Sequence, residues 1–157
     1  MEYHVELTIP IAPQPKRRVR AAIINGRIAT YQDSKTKKFE RDVSLFMRPY
    51  APKKPIKGPI SLSIAFMHPR PLRLKQKTLK GAKVPADRIY KDTRPDLDNL
   101  TKAISDCCQG LFFVDDAQIA EIKTSDFYAE RTGQARIEVS ISSLQSSQGQ
   151  GETRGNS

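Results

Sequence analysis

The chain has 157 residues, with 27 Lys and Arg against 17 Asp and Glu, a formal charge of +10 and a pI near 9.8. That length suggests one domain around one core, and with no Trp in the chain the core must come from Ile, Val, Leu, Phe and Tyr. The charge excess points to a polyanion, nucleic acid before an anionic membrane, and no apolar run approaches the ~20 residues that a membrane-crossing helix needs. Met1 to Pro10 alternates instead of forming the apolar block of a signal peptide. Cys107 and Cys108 are neighbours in a helical pattern and cannot readily bridge each other. They supply neither a zinc site nor a disulfide framework, which fits a reducing cytoplasm.

In chain order, Val5, Leu7 and Ile9 alternate with Glu6 and Thr8 and predict a strand ended by Pro10. Pro13 to Arg20 reads as a stiff basic loop. Ala21 to Ile24 and Arg27 to Tyr31 flank Asn25-Gly26, a strong two-residue hairpin signal. Asp33 or Ser34 can cap a helix carrying Phe39, Val43, Phe46 and Met47 on one face, stopped by Pro49 and Pro52. Ile60, Leu62, Ile64 and Phe66 mark the next strand. His68 to Pro95 shows no apolar periodicity and is rich in Lys and Arg. It is expected to be a long, structureless loop, either functional or disordered. Leu97, Leu100, Ala103, Ile104, Cys107 and Leu111 define a second amphipathic helix, with Gly110 at its end. Ile119 to Asp126 and Ala135 to Ile141 are two final strands joined by a turn at Thr132-Gly133. Residues 145–157 are polar and of low complexity, expected to form a disordered tail after a domain at 1–144. The order of elements gives no regular βαβ alternation, so the expected class is α+β, a mixed sheet with helices packed on it.

The acidic residues around the second helix carry the chemistry. Asp96 and Asp98 lie where loop becomes helix, and Lys102 follows Asp98 by one turn on the same face. Asp98, Lys102 and Ser105 or Asp106 form the polar stripe opposite the apolar one. Asp115-Asp116 follows the apolar run Leu111 to Val114. A helix of about 14 residues is ~21 Å long. Asp116 must therefore return along it, or join the site from a second subunit. Clustered carboxylates suit a hard cation such as Mg²⁺, and a ring of Lys and Arg would hold a DNA backbone beside them. Taken singly, each feature has a plainer reading. Asp96 can be a helix cap, Asp98 and Lys102 a surface ion pair, and the Asp-Asp pair a solvated turn. His4 and His68 stand alone and receive no role. Tyr31, Tyr50 and Tyr90 could stack on bases, but packing is the better expectation for each.

The combination Asp96-Leu97-Asp98-Asn99-Leu100, Lys102 and Asp115-Asp116-Ala117-Gln118-Ile119, led in by Arg94-Pro95, resembles the RusA family of Holliday-junction resolvases. Pro15 to Arg20 and Tyr31 to Glu40 are similar to the N-terminal half of phage- and prophage-borne members. The resemblance spans roughly residues 5–143. It implies a RusA-like resolvase fold and a crossover junction endodeoxyribonuclease that cuts four-way junctions by Mg²⁺-dependent hydrolysis, with Mn²⁺ as a substitute. It also implies a homodimer making paired nicks. Asp96, Asp98 and Asp116 would hold the metal, Lys102 would be the catalytic lysine, and Asp115 a supporting acid. DNA contacts are expected from Lys16, Arg17, Arg18, Arg20, Arg70, Arg73, Lys75, Lys77, Lys80, Lys91 and Arg94. The chain departs from the family pattern at Asp126, where members often carry a lysine, and in its long basic connection. The competing expectations are a basic nucleic-acid-binding module without catalysis, and a nuclease acting more broadly on branched DNA.

Overall fold

The computed structural model describes residues 2–16 and 20–145. Among them the elements run β1 (His4–Ile9), β2 (Arg20–Ile24), β3 (Arg27–Tyr31), α1 (Ser34–Met47), β4 (Ile60–His68) and α2 (Leu72–Lys75). They continue with β5 (Thr78–Leu79), β6 (Ala82–Lys83), β7 (Ile89–Tyr90), α3 (Leu97–Cys108), β8 (Ile119–Tyr128) and β9 (Arg136–Ser143). Five strands form one mixed sheet in the order β1-β9-β4-β8-β7. Within it β4 and β8 pair in parallel, while the other neighbours pair antiparallel. A parallel pair needs a long crossover, and here that crossover contains α3. The arrangement is the α+β mixed sheet expected from the sequence.

Period-two alternation drives β4 to the centre. Ile60, Leu62, Ile64 and Phe66 are all essentially buried on one face, each contributing ~1.5–3 kcal/mol by leaving water. Against that face lie Phe39, Val43 and Met47 of α1 and Leu100, Ala103, Ile104 and Cys108 of α3, all in one core cluster. Asp33 caps α1 by accepting from the Thr36 amide at 2.7 Å. The opposite sheet face carries Glu6, Ser63, Lys123 and Ser140 around an open concavity of about 840 Å³.

The hairpin β2–β3 forms as the Asn-Gly signal requires. Asn25 and Gly26 both take positive φ, 52° and 75°, the left-handed pair that a two-residue turn between twisted strands demands.

The connection from His68 to Pro95 is not structureless. It holds α2, the β5–β6 hairpin and the sheet strand β7, and Arg70 organises it. Only 5% exposed, Arg70 donates from Nε to Leu74 O (2.7 Å) and from Nη1 to Asp87 O (2.9 Å), Ala86 O and Ala129 O (both 3.3 Å). It also donates from Nη2 to Pro85 O. One planar, always-charged fork thus satisfies carbonyls that a chain without periodic structure would leave unpaired. This corrects the sequence reading, which had no way to separate a buried Arg from its exposed neighbours. The expected tail lies outside the described residues beyond Gln145, whose amide donates to Glu2 Oε1 at 3.0 Å.

Candidate functional site

The site is built on the first two turns of α3. Asp96 occupies the N-cap with extended backbone (φ −67°, ψ 143°), yet its carboxylate caps nothing. Its main-chain carbonyl accepts from Leu100 N at 3.2 Å, while the side chain stands 58% exposed with Arg94 Nη1 3.8 Å away. The plain capping reading of Asp96 therefore fails. Leu100 is fully buried, which turns Asp98 and Lys102 outward on the exposed side of the helix. Asp98 sits in the first turn, where the positive end of the helix dipole favours a negative charge.

The loop after α3 brings Asp116 to the helix within one chain. Gly110, at φ 87°, lets the chain reverse, and its amide donates to Phe113 O at 2.7 Å. Phe112 and Phe113 are fully buried and anchor the loop. Asp115 then caps a 3-10 turn over Asp116–Gln118, accepting from Ala117 N at 2.9 Å. Gln118 ties the same turn from both sides. Its Oε1 accepts from Val114 N and Asp115 N at 2.9 and 3.0 Å, and its Nε2 donates to Ile56 O and Gly58 O at 2.8 and 2.9 Å. The Asp-Asp-x-Gln motif is thus a turn in which the Asp115 and Gln118 side chains hold the backbone, while the Asp116 carboxylate meets Asp115 and Lys102. Hydrogen bonds from the Ala117 amide and with Asp116 lower the Asp115 pKa. The Gln118 role was not foreseen from the residues, although its place three positions after Asp115 is a capping-box spacing.

Asp116 Oδ2 lies 3.7 Å from Lys102 Nζ, which also lies 3.1 Å from Asp106 Oδ1. The Asp106 hydrogen bond and charge, with a smaller part from Asp116, raise the Lys102 pKa and keep it an ammonium. Burial pushes the Asp106 carboxyl up, but bonds from Lys16 and Lys102 outweigh this and hold it below its usual range.

Lysine 102 therefore stands one turn after Asp98 and beside Asp116. Asp96, Asp98 and Asp116 do not close into a cage. Among the described residues no three His, Cys, Asp or Glu side chains are gathered tightly enough to hold a metal ion. The donors nonetheless fit a hard divalent cation by chemistry. They offer carboxylate oxygens alone, Asp96 and Asp116 are more than half exposed, and their cationic neighbours at 3.8 and 3.7 Å are too distant for hydrogen bonds.

The expected DNA contacts divide. Arg73, Lys75, Lys77 and Lys80 are exposed on α2 and the β5–β6 hairpin, and Arg94 is 90% exposed beside Asp96. Arg70 is buried and the Lys91 side chain is only 5% exposed, so their assignment to DNA is corrected. Lys16 is committed to α3. Its Nζ pairs with Asp106 and its amide donates to Asn99 O at 3.1 Å. Ser105 is 7% exposed and leaves the polar stripe to Asp106. Arg17 and Arg18 lie outside the described residues, as does the side chain of Arg20. Tyr90 is 77% exposed and stacks one face on Phe127 at 4.7 Å. It is not core packing. Tyr50 stacks on Phe46 at 5.9 Å.

Comparison with known proteins bears on the family. The model of the family described as endodeoxyribonuclease RusA matches residues 10–142. A Bacillus subtilis (strain 168) protein, described as uncharacterized protein YqaN, is 30% identical over 137 residues, covering 87% of this chain and 94% of that one. With its Asp-Leu-Asp-Asn and Asp-Asp-x-Gln motifs both inside the matched span, the chain belongs to the RusA endodeoxyribonuclease family.

Proposed function

We propose that this protein is a structure-selective endonuclease that hydrolyses phosphodiesters at four-way DNA junctions, with Mg²⁺ as cofactor and two subunits making paired nicks. One observation carries the reading. Two carboxylates that local structure would ordinarily consume, Asp96 at a helix N-cap and Asp116 in a tight turn, stand more than half exposed with their nearest cations beyond hydrogen-bond distance, and the second is delivered to Lys102. Asp96, Asp98 and Asp116 would hold the ion, which supplies Lewis-acid stabilisation of the phosphate and a more acidic water. The chain's own groups do the remainder. Lys102 presents a permanent ammonium to the phosphate or the departing oxygen. Asp106 holds that ammonium in place and leaves it partly exposed. Arg94 and the exposed cations of α2 and β5–β6 neutralise backbone phosphates that the acids would otherwise repel. A two-fold pair of subunits matches the near two-fold symmetry of a junction.

The test is cleavage of a synthetic four-way junction with Mg²⁺, beside Asp96→Asn. Loss of cutting with retained binding supports the reading, and equal cutting by both proteins refutes it. Comparing junction, fork and linear duplex separates a junction resolvase from a nuclease of wider scope, and sedimentation of the free protein tests the dimer. A second reading, a basic DNA-binding module without catalysis, is favoured by the open spacing of the three acids. Junction binding that survives EDTA, with no cleavage of any branched DNA, would select it.

A further inference from the structure

Behind the exposed acids lies a second charged cluster that the proposed reaction does not use. His68, Asp126 and Lys91 have side chains 8%, 9% and 5% exposed. The His68 Nε2–H donates to Asp126 Oδ1 at 2.6 Å, and Lys91 Nζ lies 3.7 Å from Asp126 Oδ2. Burial lowers the His68 pKa against the opposing pull of Asp126.

Such a cluster is poor value for stability alone. A buried ion pair loses much of its Coulomb gain to desolvation, and an apolar replacement often serves as well. What the ammonium does hold is main chain. Its shortest contacts are Thr93 O at 2.6 Å and Arg94 O at 3.0 Å, both closer than the carboxylate. Two further ties fix the same segment to β8. Lys91 N donates to Asp126 O at 2.9 Å, and Thr93 Oγ1 meets the Tyr128 hydroxyl at 3.0 Å. Residues 90–97, Asp96 among them, and 124–126 together wall a cleft of about 490 Å³. The strand that carries Asp126 begins one residue after the Asp116–Gln118 turn. A single strand thus holds Asp116 at one end and, through Lys91, the backbone leading into Asp96 and Asp98 at the other.

We propose that Lys91 and Asp126 are positioning residues. The buried pair fixes the 93–94 backbone and so sets where Asp96 and Asp98 stand relative to Asp116. This rests on the reading of those three aspartates as the working site.

The experiment uses the full-length protein with Lys91→Met, Lys91→Arg and, as a control, Val43→Ala in α1 away from the site. Junction affinity is measured in EDTA, cleavage in Mg²⁺, and amide hydrogen exchange on the protein without DNA. Lys91→Met is expected to bind within about twofold of wild type and to lose kcat by about 10- to 100-fold, the scale of misplaced reacting groups. Its exchange should rise at 93–97 and not in β4, and Lys91→Arg should restore both. Unchanged exchange at 93–97 in Lys91→Met overturns the proposal. So does a kcat loss that Val43→Ala reproduces. If wild type cuts no junction, the exchange arm still decides the clamp and the failure belongs to the nuclease reading. If Lys91→Met does not fold, Asp126→Asn is read by the same two criteria, since its amide oxygen still accepts from His68.

Discussion

Two kinds of acid lie around β8 and do opposite things. Asp96 and Asp116 are more than half exposed, with their nearest cations beyond hydrogen-bond distance. Asp126 is buried, bonded to His68 at 2.6 Å and paired with Lys91. The basic residues divide in the same way, Arg70 spending itself on carbonyls inside while Arg73 and Lys77 face water. A charge that is buried and satisfied serves the fold, because leaving it unpaired would be costly. A charge left exposed and uncommitted is available to a substrate. The contrast teaches that residue type says little about role in this chain, and that commitment of the polar atoms says much more.

Substitutions in the two groups should therefore separate activity from stability. The largest effect is expected at Asp96→Asn, which should lower the rate of junction cleavage by about 10²–10³-fold while leaving the melting temperature and junction binding unchanged. A drop in melting temperature instead would erase the distinction. Next, Arg70→Met should cost about 3 kcal/mol in urea unfolding, because several buried carbonyls lose their donor. Gln118→Ala should cost about 2 kcal/mol and reduce cleavage as well, since it loosens the turn that carries Asp116. Lys77→Ala should change stability by less than about 0.5 kcal/mol and reduce the slope of log affinity against log salt by about one. An unchanged slope would take the β5–β6 face off the DNA.

The smallest expected effect concerns pH and a control region away from the acids. Arg136 bonds hold the Glu130 carboxyl well below its ordinary 4.5, at about 2. A carboxylate with a depressed folded pKa stabilises fully above its unfolded value and loses that contribution as pH falls through the folded one. Wild type should therefore lose stability between pH 4.5 and about 2 more steeply than Glu130→Gln. His68 acts at higher pH. Its lowered pKa makes the fold favour the neutral ring, so its contribution is complete above the ordinary value and declines as the solution is acidified below it.

Much was legible in the residues. Alternation marked β1, β4, β8 and β9, the Asn25-Gly26 pair marked the hairpin, and the spacing of Phe39, Val43 and Met47 marked α1 with its Asp33 cap. These signals are local, since side-chain period and turn dihedrals depend on neighbours in sequence. The motif of acids around α3 was local too, and with the family resemblance it pointed to the nuclease reading. Whether a given charge faced water or protein was not local. Arg70, Lys91 and Asp126 look like any residues of a basic connection or a strand end, and only the packing of residues 68–95 against β8 buried them. The return of Asp116 to Lys102 likewise depended on Phe112 and Phe113 finding the core, a contact that joins distant parts of the chain. Sequence by itself determined the strands and helices outside residues 68–95 and which acids were candidates. Tertiary structure alone decided which of those charges are consumed and which remain open, because desolvation is a property of the folded surroundings and not of the residue.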